Sequence, residues 1–187
     1  MRVAGNDVNR IRLFPQVRTN IVAFLLNSIL GGVLATLFMD VAGTLVRITG
    51  LTAGAPPSTI GKWFTYLLQG RLIHRDIMAS PEIPVRMLLV LGLHYVIGIA
   101  LAGAFVALCS WQAPQRGNFA FAVGFGLLTT VLAWFLMFPA MGWGVAGVRG
   151  PAQLLLTRTS LVNHALYGLG LALWSVFLAA LLIRSNA

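Results

Sequence analysis

Charge is what this chain has least of. Only 9% of its 187 residues are charged, against roughly 25% in an ordinary soluble domain. A water-facing surface cannot be built from so few charges, so lipid must cover much of the molecule. Cysteine is almost absent too. Cys109 stands alone, which excludes an intramolecular disulfide and any cysteine-based metal cluster. It lies in an apolar run and reads as a small buried hydrophobe. Acids are scarce: four face thirteen Lys and Arg, for a formal charge of +9. In a soluble protein that balance would point to nucleic acid. Here the basic residues flank apolar segments, and anchoring at lipid headgroups accounts for them without a nucleic-acid partner. P-loop, HExxH, GxSxG and GxGxxG patterns are missing, so no reaction and no cofactor is assigned from motifs.

What the chain has is long apolar runs. A helix needs about 20 apolar residues to cross the hydrocarbon core. Four segments qualify: Ile21 to Val46, Met87 to Trp111, Phe119 to Phe138, and Leu161 to Ile183. None alternates strictly, which argues against a β-barrel. The first follows Arg10, Arg12 and Arg18 as a signal peptide would. Its apolar run is about twice a signal core, so it reads as a retained helix. The expectation is an all-α, polytopic membrane protein: residues 1–20 as a tail, then residues 21–187 as four transmembrane helices in an up-down bundle.

The connection from Arg47 to Arg86 is the one long loop. Pro56 and Pro57 stop the chain there, Ser58 is a candidate N-cap, and Gly70 a C-terminal stop. Between them Ile60, Trp63, Phe64, Leu67 and Leu68 share one helical face. This predicts a short amphipathic helix, either lying in the headgroup layer or packed on the bundle. After the third span, Pro139 to Gly147 is apolar and glycine-rich. Such a stretch can dip back at membrane depth where other helices cover it.

A faint repeat runs through the spans. Aligning His94 with His164 also matches Gly98 with Gly168, Leu101 with Leu171 and Ala102 with Ala172. The first and third spans align through Gly32 with Gly126 and Thr36 with Thr130. Two duplicated helical hairpins would give this pattern. Orientation is nearly balanced, with six basic residues on the side of the termini and seven on the other. The tail's cluster beside the first span favours both termini in the cytoplasm.

Asp40 is the only acid within a span. A charge there costs about 2.5 to 3.5 kcal/mol on insertion scales, so such residues rarely face lipid. Thr36, Gly43 and Arg47 share its helical face, and Arg47 is a possible ion-pair partner. In an up-down bundle Asp40, His94 and His164 fall at comparable depth, on the side of the long loop that carries His74. Each imidazole can hold a proton or a metal near neutral pH. Singly, each histidine reads more simply as a hydrogen-bonded structural residue. Both intramembrane histidines have glycine four residues later. That leaves room for a neighbouring helix or for a flat cofactor, and two facing histidines could ligate a haem iron.

Several stretches together resemble a known group. They are Ala35-Thr36-Leu37-Phe38-Met39-Asp40, Gly70-Arg71-Leu72-Ile73-His74, Ser80-Pro81 with Pro84, His94-Tyr95-Val96-Ile97-Gly98, Pro139-Ala140-Met141-Gly142-Trp143-Gly144, and His164 with Gly168. In this order they are similar to the bacterial membrane proteins of the domain-of-unknown-function 2938 family. The resemblance implies a four-span fold and placement in a bacterial inner membrane. It also implies interest in Asp40, Arg71, His74, His94 and His164, and a polar residue where Phe138 stands. It implies no reaction. From the residues themselves the leading expectation is a small transport or ion-binding protein. Its polar intramembrane site would comprise Asp40, His94, His164 and Thr36, with Arg71 and His74 as candidates in the loop. The alternatives are a metal- or haem-binding protein and a structural subunit of a homo-oligomer or a larger membrane complex.

Overall fold

A computed structural model describes residues 20–52, 57–84, 87–111 and 119–185. The tail before residue 20, the start of the long loop at 53–56, the entry to the second span at 85–86 and the connection at 112–118 lie outside the described residues. Among the described residues every regular element is helical. Helix α1 spans Ile21–Ile48, α2 Pro57–Leu68, α3 Met87–Trp111 and α4 Phe119–Leu132. A π-helical turn, Ala133–Met137, carries α4 into a single turn, α5 (Phe138–Ala140). A 3-10 turn at Val145–Gly147 and the long α6, Gln153–Ser185, complete the order.

Four helices are long and apolar enough to cross a membrane. Ends differ from the sequence expectation mainly at α6, which starts eight residues before Leu161. Gln153, Thr157, Arg158, Thr159 and Ser160 break the apolar run there, but their backbone continues the helix unhindered. The third span is interrupted for a covalent reason. Pro139 has no N–H for the carbonyl of Phe135, and its ring crowds that turn. The preceding turn widens, so that the Phe138 N–H donates to Ala133 O, five residues back.

The spans pack as a ring in which α1 touches α3 and α6, α6 touches α4, and α3 and α4 meet least. Glycine permits the tight contacts. A Cβ on Gly32 would stand 2.5 Å from the Cα of Ile99, and one on Gly126 would stand 2.7 Å from the Cα of Gly168. Between α1 and α6, a Cβ on Gly170 would meet the Cα of Ala35 at 2.7 Å. Lipid tails are as apolar as leucine, so close backbone packing through small residues is what holds such helices together. The centre is filled by Ala35, Ala102, Phe105, Phe125, Tyr167 and Leu171.

A second core lies at the end of the bundle where α1 and α4 finish and α3 and α6 begin. Here α2, the segment after it and the turn after α5 form a cap around Trp63, Phe64, Tyr66, Ile77, Met141 and Trp143. Helix α2 is sunk into this cap rather than laid along a surface. Even Lys62 is buried, and Trp63 Nε1 donates to Leu72 O at 3.0 Å. The expected apolar face is only partly the buried one, since Leu68 is exposed and Tyr66 takes its place. Ser58 lies inside the first turn rather than before it, because the helix already begins at Pro57. Gly70, at φ +79°, ends α2 as expected. Its N–H donates to Leu67 O and that of Arg71 to Tyr66 O, so the last carbonyls are satisfied. The glycine-rich turn after the third span is pinned under the loop. The N–H of His74 donates to Ala140 O at 2.7 Å and that of Ile77 to Met141 O at 3.0 Å. Gly142, at φ +87°, sits so near Arg75 O that no side chain fits there.

Candidate functional site

Asp40 lies eight residues before the end of α1, about 12 Å along its axis. His94 lies seven residues into α3, about 10 Å from its start. The two helices are antiparallel neighbours, so the residues meet at one level, in the part of the spans nearest the cap. His94 Nε2 stands 3.1 Å from Asp40 Oδ1. With its proton on Nε2 the ring donates to the carboxylate. Tyr95 also interacts with the Asp40 carboxylate, and its ring meets that of His94 edge-on at 5.9 Å. The side chains of His94 and Asp40 are 38% and 37% exposed. The pair is therefore reachable from outside the bundle and is not sealed in its core.

One turn further from the cap, the same interface carries Thr36 against Gly98. Thr36 is buried, and among the described residues its hydroxyl has no hydrogen-bond partner. The carbonyl of Gly98 accepts from the Tyr167 hydroxyl of α6 at 2.6 Å. Thr36 and Asp40 thus form successive rungs against Gly98 and His94.

His164 is placed elsewhere. Its Nδ1 pairs with Thr129 Oγ1 of α4 at 2.7 Å, and that hydroxyl also reaches Gly126 O at 2.6 Å. The two intramembrane imidazoles are thus engaged by different helices, His94 by α1 and His164 by α4. Among the described residues no three His, Cys, Asp or Glu side chains lie close enough together to hold a metal ion. Arg47 is exposed near the end of α1, and the ion-pair contact of Asp40 is to His94.

In the cap, the ring of His74 packs against that of Tyr66 at a tilt of 55°, with centroids 4.8 Å apart. Its Nδ1 lies 3.2 Å from Ser80 Oγ and its Nε2 3.3 Å from Arg71 O. Phe138, where the resemblance implies a polar residue, is buried against Trp143. Two residues that bear on these sites went unremarked in the sequence. Thr129 is the partner of His164. Asn163 fills the space left by Gly43, whose Cβ would stand 3.0 Å from its Oδ1. A search of every polar residue in the spans, rather than the ionisable ones alone, would have found both.

The fold and these contacts define a helical protein with four spans of membrane-crossing length, a polar pair between two of them and a folded cap at one end. The chain belongs to the family described as protein of unknown function (DUF2938), whose profile matches residues 29–180. No curated protein and no solved structure matches it.

Proposed function

We propose that this chain is a small ion-handling membrane protein in which Asp40 and His94 together bind and release a proton or a small cation. One observation carries the reading. The sole acid of the spans meets an imidazole from another helix at 3.1 Å, and both side chains stay partly accessible. A carboxylate at this position is costly in hydrocarbon, and a purely structural hydrogen bond could be made by a neutral amide at less expense. A carboxylate beside imidazole does what an amide cannot: it accepts and returns a proton, or neutralises a cation, without leaving its partner unsatisfied. His164 with Thr129 is the structural counterpart, a histidine held by a hydroxyl that does not titrate near neutral pH.

The test is ion flux in liposomes containing the purified protein and an internal pH- or cation-sensitive dye. Asp40→Asn keeps size and hydrogen bonding and removes the titratable acid, so flux should be lost while insertion and detergent monodispersity persist. His94→Gln should slow it, and His164→Gln should leave it near wild type. Wild-type flux in the Asp40→Asn variant overturns the proposal, as does a wild-type protein that moves neither protons nor alkali cations.

A further inference from the structure

The second accessible polar feature is a cavity of about 510 Å³ in the cap, separate from the Asp40–His94 pair. Arg71, His74, Arg75, Ser80 and the buried ring of Tyr66 line it, with Gly70 at its edge. Its charge is one-sided. Of the described acids near it, Glu82 reaches away to Lys62 at 2.8 Å, and Asp76 accepts from the Met78 N–H at 2.9 Å. Neither Arg71 nor Arg75 forms an ion pair among the described residues. Two arginines thus line one cavity whose lining, among the described residues, includes no acidic residue.

The backbone around the cavity is fixed. Arg71 is held by its own N–H on Tyr66 O, and His74 by its N–H on Ala140 O. Arg75 precedes the Ile77 N–H bond to Met141 O, and its carbonyl is pressed against Gly142. The imidazole is fixed as well. Ser80 Oγ donates to Asp76 O at 3.0 Å and lies 3.2 Å from His74 Nδ1, while Arg71 O lies 3.3 Å from Nε2. Contacts at both ring nitrogens fix the orientation of the imidazole beside the cavity. Forked guanidinium donors on a rigid frame suit phosphate oxygens, which they engage in pairs. The rim points the same way: Leu72 and Ile73 beside Arg71 are exposed, Ile73 at 77%. Apolar side chains flanking a basic cavity at the end of a transmembrane bundle fit the level where phosphate headgroups lie over acyl chains.

We infer that the cap cavity is a phosphate-binding site, in which Arg71 and Arg75 hold the phosphate of an anionic phospholipid headgroup or a free phosphate of the same chemistry. The full-length protein in detergent provides the test. Bound anionic phospholipid is read by native mass spectrometry, and inorganic phosphate is titrated as the competitor. Arg71→Gln with Arg75→Gln should weaken phospholipid retention at least about tenfold, the loss of one charge-assisted hydrogen bond or more. Arg47→Gln, which removes a charge at the same end of the bundle but outside the cavity, should retain it. Arg71→Lys with Arg75→Lys keeps the charge and loses the fork. It should fall between the two, and it provides the comparison if the glutamine pair fails to fold. Displacement of the lipid by inorganic phosphate supports the phosphate itself as the recognised group. Retention of lipid that phosphate cannot displace supports a lipid headgroup as the source. Equal loss in the Arg47 and cavity variants, or binding of neither phosphate nor anionic lipid, overturns the inference.

Discussion

The pair α1 with α3 and the pair α4 with α6 pack alike, and they differ in what their histidines meet. Both are zipped by glycine, Gly32 with Gly98 in the first and Gly126 with Gly168 in the second. Both carry a buried threonine whose hydroxyl has no partner among the described residues, Thr36 and Thr130. Each puts a histidine one turn before the glycine of its second helix. Yet His94 meets Asp40, while His164 meets Thr129. In the repeat, Trp134 stands where Asp40 does. His164 pairs instead with Thr129, five residues before Trp134, although the glycine contacts of the two hairpins fall at equivalent positions. Trp134 lies in the widened turn before Pro139, its indole N–H buried without a partner among the described residues. The same helix–helix packing thus supports a carboxylate–imidazole pair in one hairpin and a hydroxyl–imidazole pair in the other.

The largest effects should come from what the two hairpins share. Gly32→Val and Gly126→Val each drive a side chain into facing backbone. Overpacking of this kind costs about 1 to 3 kcal/mol and more where backbone must move. Both variants should lose most monodisperse protein on size-exclusion chromatography. If only one does, the hairpins are not equivalent in packing. Next come the partners. Thr129→Val strips His164 of its hydroxyl and should lower stability in thermal unfolding by about 1 to 2 kcal/mol, with ion handling unchanged. A loss of flux there would extend the site into the second hairpin. The cap offers the smallest effect. Glu82 is largely exposed, so Glu82→Gln should cost under about 1 kcal/mol despite the short contact to buried Lys62. A larger loss of stability would mean that the cap depends on this pair.

The sequence carried the spans because hydrocarbon thickness imposes a length, and runs such as Met87 to Trp111 meet it without interruption. It carried α2 because Pro57 and Gly70 mark its ends with backbone chemistry. It did not carry the depth to which α2 is buried. Lys62 and Tyr66 look like a polar side until the turn after Ala140 is folded beneath the loop. The start of α6 was hidden by polar residues at its first turns, where helical backbone and apolar pattern part company. At the site, composition marked Asp40 and the histidines as exceptional in an apolar chain, and the up-down topology put them at similar depth. Their partners follow from helix rotation and register, which the widened turn at Ala133–Met137 helps set in the third span, and no residue pattern announces those.

The measurement that bears most directly on the Asp40–His94 account is the infrared difference spectrum of the purified protein as pH is stepped across neutrality. A carboxyl band that vanishes in Asp40→Asn identifies the acid. The account predicts that this band shifts in His94→Gln and is unchanged in His164→Gln, because only the first histidine touches the carboxylate. No band from Asp40, or an equal shift with either histidine replaced, would contradict it.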